Sequence, residues 1–329
     1  MAAPQTIRWA ILGAGKIAHK FAQDFKAVQR AQLVAVAASN PERARTFADQ
    51  YGIPTAYGYD ALYQSTDVDA VYIATTHNFH YEQCLACIRS GKAVLCEKPI
   101  TINDAQFKEL AVLAKEKGVF LMEALWTYFL PALQKAAEWL AQGKIGTLQR
   151  IQADFSFKMP FDPKGRLYNP ELAGGALLDL GIYPIAFANY FTNRPPNSVL
   201  ASGVLGSTGV DESTALILKY DTIYATLFTS LLVQTLNKGF LFGDAGYIEV
   251  PDFWKASSAK LYTSDHQLAE TFEDQRTTWG YNYETQHVTD SLLQGDTESR
   301  IVPHAASNRL QELMTEVRRQ MGFVYPMER

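Results

Sequence analysis

Ile7-Arg8-Trp9-Ala10-Ile11-Leu12-Gly13-Ala14-Gly15-Lys16-Ile17-Ala18 is the stretch on which the fold turns. The apolar, β-branched run stops at two glycines, and beyond them Phe21, Phe25 and Val28 recur at helical spacing, so the order reads strand, turn, helix. In such a turn the first glycine permits the tight bend and the second lets backbone approach a pyrophosphate. A small third residue, here Ala18, lets helix and strand pack closely. Phosphate would sit on free N–H groups at the positive end of the helix dipole, which makes Gly13, Gly15, Lys16 and Ile17 candidate cofactor contacts.

A second strand follows at residues 33–38. Near the end of that strand, about 20 residues beyond the glycines, a dinucleotide site expects an acid to hold the adenosine ribose. Ser39 stands there instead. Asn40-Pro41-Glu42-Arg43 reads as a helix start, with Asn40 at the cap and Pro41 at the first helical position. A hydroxyl, an open helix end and the Arg43 guanidinium suit a 2′-phosphate, and the carboxylate that selects an unphosphorylated ribose is missing. NADP(H) is therefore favoured, with NAD(H) the alternative.

Two further buried strands, residues 69–74 and 93–96, end in Thr75-Thr76-His77-Asn78-Phe79-His80 and in Glu97-Lys98-Pro99. Open α/β sheets bind ligands at the carboxyl ends of their strands, which brings Thr75, His77, Asn78, His80, Glu97 and Lys98 to the cofactor edge. No Cys or acid partners His77 and His80 at ligand spacing, so no metal is expected. A loop histidine that contacts the cofactor or caps the next helix is the better reading. Residues 119–123 close this first domain, because the pattern changes afterwards.

Four motifs occur in order along nearly the whole chain: Gly13-x-Gly15-x-x-Ala18, Glu97-Lys98-Pro99, Glu123-Ala124-Leu125-Trp126, and Gly174-Gly175-Ala176-Leu177-Leu178-Asp179-Leu180-Gly181-Ile182-Tyr183-Pro184. Together they resemble the glucose-fructose oxidoreductase/inositol dehydrogenase/MocA (Gfo/Idh/MocA) family. Within it, the Trp126 region, a tyrosine in place of the commoner histidine at 183, and the ending Gly322-Phe323-Val324-Tyr325-Pro326 are most similar to dimeric dihydrodiol dehydrogenases and NADP-dependent D-xylose dehydrogenases. The resemblance implies a Rossmann domain, a second domain on an open sheet, and a catalytic lysine and tyrosine. Tyr128 departs from the pattern, since relatives often carry an arginine after the tryptophan.

The expected class is α/β. Residues 1–123 form a dinucleotide-binding Rossmann domain with a doubly wound parallel sheet. Residues 124–329 form an α+β domain with an open, mostly antiparallel sheet, for substrate binding and oligomerisation. In that domain residues 213–220 and 223–233 read as strands joined at Tyr220-Asp221-Thr222-Ile223. Phe228 and Leu232 on one face and Leu227 and Leu231 on the other ask for cover on both sides. Helices cover one, and a second subunit is the economical cover for the other, so a homodimer through this sheet is expected. If residues 176–187 are helical, Asp179 and Tyr183 project from one face, with Gly181 and Pro184 implying a kink.

Oxidation of a secondary alcohol or hemiacetal must also remove the hydroxyl proton, so a base is needed within hydrogen-bond reach. Tyr183 is the candidate; a free phenol titrates near ~10, and the Lys98 ammonium would favour its phenolate. Asp179 would pair with Lys98 or hold the substrate hydroxyl. The competing assignment makes Lys98 itself the proton acceptor, which requires burial to lower its pKa. A sugar or cyclohexadiene diol presents one apolar face and a rim of hydroxyls, so Trp126 is the expected platform, also near the cofactor, with Phe155 and Trp279 as weaker ones; Phe155, at alternate spacing with Ala153 and Phe157 on a strand, reads better as core. Arg166 lies beside the polar loop 159–165, which would close over the substrate. Glu284-x-x-His287 is explained by helix packing rather than by a metal. The reading is an NADP-dependent dehydrogenase of aldoses or cyclic trans-diols. Its alternatives are a keto-sugar reductase and a catalytically silent NADP-binding regulator.

The 329 residues suit two domains, and 47% hydrophobic composition allows a sizeable core. A net charge of -4 without a basic block argues against nucleic acid as the partner. The N-terminus shows no leader pattern and no uninterrupted apolar stretch reaches membrane-spanning length, so no membrane association is expected. Cys84, Cys87 and Cys96 suit reduced thiols in the cytoplasm better than a disulfide scaffold.

Overall fold

The computed structural model describes residues 6–328. Two units emerge: one holds the chain through Trp126 together with Thr277–Asn308, the other Thr127–Arg276 together with the chain from Arg309.

The first unit is built on β1 (Ile7–Leu12), β2 (Ala31–Ala37), β3 (Thr55–Tyr57), β4 (Ala70–Ile73), β5 (Ala93–Glu97) and β6 (Leu121–Ala124). They pair in parallel in the order β3-β2-β1-β4-β5-β6. The connecting helices are α1 (Lys16–Asp24), α2 (Pro41–Tyr51), α3 (Tyr59–Gln64), α4 (His77–Arg89) and α5 (Asp104–Lys117). Every residue of β4, β5 and β6 is buried, as a sheet covered on both faces demands. The strand order reverses between β1 and β4, so the turns after these strands flank the crevice where such sheets bind ligands. β3 was not expected, since its three half-buried residues carry no periodic signal.

The sequence implied a contiguous second domain, but Thr277–Asn308 belongs with the first unit. The fasteners are specific. Asp24, buried at the end of α1, accepts the backbone N–H groups of Trp279 (3.0 Å), Gly280 (2.8 Å) and Tyr281 (2.9 Å), so its carboxylate caps the helix Tyr281–Gln294 at the positive end of the dipole. The fully buried Trp9 indole donates to Thr289 Oγ1 at 3.2 Å. Trp9, Phe21 and Phe25 form one ring cluster, and Phe21 stacks on Tyr72 at 3.7 Å.

The second unit opens with α6 (Pro131–Ala141) and continues through β7 (Leu148–Ser156), α7 (Ile182–Thr192), β8 (Ser198–Leu205), β9 (Asp211–Tyr220), β10 (Ile223–Ser230), β11 (Lys238–Gly243), β12 (Gly246–Pro251), β13 (Ser258–Thr263) and β14 (Leu268–Glu273). The strands form one sheet in the order β14-β13-β12-β11-β7-β10-β9-β8, with only β7 and β10 running parallel. The expected hairpin is present, with Ile223 opposite Tyr220, but β10 ends at Ser230, so Leu231 to Val233 leave the sheet. One face is closed by Leu216, Leu218, Ala225 and Leu227, all buried, with α7 packed against β7 and β10. Gly239 on β11 permits that approach, because a Cβ there would lie 2.5 Å from the Phe187 ring. The other face stays open: Leu200, Val204, Ile217 and Tyr224 are all exposed.

Pro170–Thr192 is long and apolar enough by composition to cross a membrane, although Glu171 and Asp179 interrupt it. It is a core segment, with 83% of its apolar window buried. Nor is it a simple kinked α-helix. Leu177–Gly181 forms a π-helical turn, with the Ile182 N–H donating back to the Leu177 carbonyl, before α7 begins. The wider turn brings the chain into α7 with Pro184 in its first turn, where a missing N–H costs little.

Candidate active site

In the first unit the glycine turn has the form of a pyrophosphate cradle. Gly13 has φ +107°, and a Cβ on it would lie 2.9 Å from the Ala74 carbonyl and from Thr75 Cγ2. α1 starts at Gly15 with no side-chain cap, which leaves its first N–H groups to an anion, and Lys16 is exposed beside half-buried Ile17. At the end of β2, Ser39 is exposed and Asn40 caps α2 by accepting from the N–H groups of Glu42 (2.8 Å) and Arg43 (3.1 Å). The Arg43 guanidinium donates to the Ala14 carbonyl at 3.0 Å, so it lies on the glycine turn itself. The open cradle fits a dinucleotide and a fixed cation stands near the end of β2 in place of a carboxylate, whereas the start of α2, expected to be open, is closed by the Asn40 side chain.

Lys98 is half-buried between buried Glu97 and Pro99. Each neighbour is tied down. The Tyr72 hydroxyl donates to Glu97 Oε1, His80 Nδ1 lies 2.8 Å from the Pro99 carbonyl, and the Ile100 N–H donates to Glu123 Oε1 at 3.0 Å. Burial first, and then Glu97, push the Tyr72 phenol well above its ordinary range; the same two causes push the Glu284 carboxyl up. Thr75 Oγ1 donates to Gln83 Oε1 at 2.6 Å, and Thr76 Oγ1 to Asn78 Oδ1 at 2.7 Å, which gathers polar groups at the start of α4.

The π-turn Leu177–Gly181 lies in the second unit. From Ala173 to Asn189 every residue is buried except Tyr183. Asp179, nearly buried in that turn, is held by Arg166 in a two-pronged pair of 2.8 and 3.2 Å, so the structure brings together two residues the sequence placed only separately. The Tyr183 ring meets Phe155 edge-on at 5.1 Å and Trp254 at 6.2 Å. Tyr128, the departure from the family pattern, donates from its hydroxyl to the Ala186 carbonyl at 2.7 Å and accepts from Asn189, which fixes α7.

Four expectations need correction. His77 and His80 sit in the first turn of α4 rather than in a loop. His80 is fully buried, its pKa lowered to about 4 by burial, and its ring faces the Pro99 and Thr75 carbonyls, so it fastens the Lys98 turn instead of presenting a donor. Trp126 is 3% exposed and stacked on Tyr281 at 4.8 Å, as a packed ring and not an open platform. Trp279 lies on the last turn of α1, its indole donating to Gln23 and the Lys20 ammonium 4.4 Å over its ring, at the opposite end of that helix from the glycine turn. Phe155 is 2% exposed and backs Tyr183 from the core, as its alternation with Ala153 and Phe157 implied, and not as a platform. The half-buried Trp254 was missed, because it follows β12 in a short turn where no periodicity marks it. His287 Nε2 lies 2.8 Å from Ser299 Oγ, within the helix packing expected of it.

Comparison with known proteins agrees with this architecture. A family model described as an oxidoreductase family with an NAD-binding Rossmann fold matches residues 7–125, and one described as a GFO/IDH/MocA C-terminal domain matches residues 133–249. Trans-1,2-dihydrobenzene-1,2-diol dehydrogenase of Xenopus tropicalis is 37% identical, covering 97% of this chain and 99% of that protein. The mouse (Mus musculus) protein of the same name is 36% identical over 98% and 99%. Among solved structures, a 3-ketoreductase from Actinomadura kijaniata with NADP and TDP-benzene is 27% identical with a TM-score of 0.84, covering 96% of this chain and 98% of that one. An aldose-aldose oxidoreductase from Caulobacter crescentus, 24% identical over 96% and 97%, shares the fold with a TM-score of 0.87. With a cradle that fits a dinucleotide and full-length similarity of this order, the chain belongs to the Gfo/Idh/MocA family of oxidoreductases with an NAD-binding Rossmann fold.

Proposed function

We propose that this chain is an NADP-dependent dehydrogenase that moves a hydride between the nicotinamide and a hydroxyl-bearing carbon of an aldose or a cyclic trans-diol, with Tyr183 as general acid/base. The observation that carries the reading is the selective exposure of Tyr183 in an otherwise buried run. Burying sixteen neighbours while leaving one tyrosine half-buried suits a group that must reach substrate. The bound nicotinamide supplies the hydride acceptor or donor. Tyr183 takes the hydroxyl proton, the Lys98 ammonium favours its phenolate, and Asp179, oriented by Arg166, holds a substrate hydroxyl. Arg43 and the absence of an acid at Ser39 support NADP(H) over NAD(H). The half-buried Trp254 beside Tyr183 suits the apolar face of a ring substrate.

The names of the curated relatives favour a cyclic diol. The ketoreductase among the solved structures supports the second reading, in which the same residues reduce a keto-sugar with Tyr183 donating its proton. Following NADPH absorbance near neutral pH with pentoses, hexoses, cyclic diols and keto-sugars separates the two. Tight NADPH binding with no turnover across that panel would replace both by a silent regulator.

The open sheet face with Leu200, Val204, Ile217 and Tyr224 supports a homodimer through this surface. Sedimentation should give a dimer that Ile217→Asp converts to monomer; a monomeric parent protein refutes it. Three buried thiols, all unbridged, suit a cytoplasmic location.

A further inference from the structure

The π-turn that carries Asp179 and leads into Tyr183, the second residue of α7, is anchored at its start by a buried carboxylate. Asp211, the first residue of β9, is fully buried. Its Oδ2 accepts the backbone N–H of Leu177, the first residue of the turn, at 2.8 Å and the Thr214 hydroxyl at 2.8 Å. Among the described residues its Oδ1 has no hydrogen-bond partner, and it faces Gly175, where φ is +118° and a Cβ would lie 2.2 Å away. One residue earlier, the Gly174 carbonyl accepts the Tyr325 hydroxyl at 2.5 Å.

Tyr325 is itself clamped. Its N–H donates to Glu328 at 3.0 Å, Glu328 pairs with Arg318, and the Arg318 guanidinium lies 4.9 Å from the Tyr325 ring. Arg318 is also the charged group whose field favours the ionised form of Asp211 against its burial. A buried carboxylate with one oxygen left unbonded is an expensive way to hold a loop, since a neutral amide would satisfy the same N–H. What the carboxylate adds is a strong, directed acceptor on one N–H, and that N–H begins the turn that presents the phenol.

We propose that Asp211, with Tyr325 behind it, is a positioning residue for proton transfer: it sets the register of the turn from which Asp179 projects and which feeds into the first turn of α7, where Tyr183 stands. This rests on the reading of Tyr183 as the acid/base. Neither Asp211 nor Tyr325 touches substrate; each acts through Gly174, Gly175 and Leu177.

The test uses the full chain with NADPH and the best substrate of the panel. Asp211→Ala should lower kcat roughly 10- to 100-fold, the scale of a catalytic group misplaced by about 1 Å, with the NADPH dissociation constant unchanged. Asp211→Asn, which keeps an oxygen toward the Leu177 N–H, should restore most of the loss. Tyr325→Phe removes one hydroxyl, decides the matter if Asp211→Ala does not fold, and should lower kcat roughly fivefold, the worth of one hydrogen bond. Parent-level kcat in Tyr325→Phe and in any folded Asp211→Ala, alongside an inactive Tyr183→Phe, overturns the proposal. A fully active Tyr183→Phe overturns the acid/base reading instead.

Discussion

Arg43→Ala tests the cofactor preference most cleanly, because the structure separates what the substitution removes from what it leaves. The helix cap uses the Arg43 backbone N–H, 3.1 Å from Asn40 Oδ1, and an alanine keeps that bond. Only the guanidinium is lost, with its 3.0 Å tether to the Ala14 carbonyl. A hydrogen bond to a charged group contributes about 1.5–3 kcal/mol, or roughly 10- to 150-fold in affinity. Arg43 is exposed, so screening pulls the expectation to the lower part of that range, roughly 10- to 30-fold weaker NADPH binding at physiological salt. NADH offers the guanidinium no 2′-phosphate and should bind as before. Titration of both cofactors by quenching of protein fluorescence, at low and high salt, measures the two dissociation constants. The NADPH loss should shrink as salt rises. Equal weakening of both cofactors, or an NADPH constant that does not move, would refute the argument and leave Arg43 as a tether for the glycine turn.

Three further outcomes are expected. Tyr183→Phe should cut turnover by about 100- to 10,000-fold with NADPH binding nearly unchanged, as loss of an acid-base group does, and normal turnover would remove Tyr183 from the chemistry. Gly13→Ala places a Cβ 2.9 Å from the Ala74 backbone at φ +107°; it should cost roughly 2 kcal/mol or more in urea unfolding and weaken both cofactors together, and a neutral effect would mean the turn can shift. Asp211, raised by burial to about 6 from an ordinary 3.8, makes the folded chain hold a proton that the unfolded chain has released between those values. Its contribution to stability is therefore present below the lower value and lost as pH rises through the upper, up to roughly 3 kcal/mol. Denaturant midpoints from pH 4 to 7 should carry this slope in the parent protein and not in Asp211→Asn; identical slopes would refute it.

The parts of the fold legible in the sequence are those fixed by neighbours in the chain. Gly13 and Gly15 between an apolar run and a helical one, and Asn40 with Pro41 before α2, specify their geometry through positive φ, a missing N–H and a local cap. The Lys98 turn and the buried run around Tyr183 were legible as motifs. What was not legible depends on contacts far apart in the chain. No local signal says that Asp24 caps a helix beginning at Tyr281, or that Trp279 therefore lies on α1. The π-turn was read as a kink because Pro184 announces a break without saying that an extra residue precedes it. Trp254 and the pairing of Arg166 with Asp179 emerge only when separate segments of the second unit meet.

Because the nucleotide-binding unit takes its last helices from Thr277–Asn308, a ribosome that has made residues through Trp126 has not yet made a finished fold. Until Tyr281–Gln294 emerges, the nascent chain has nothing for the Trp9 indole or the Asp24 carboxylate to engage. At about 5–20 residues per second, the intervening unit delays that moment by on the order of ten seconds. The contacts that complete the nucleotide-binding unit are thereby postponed until the whole second unit has been translated.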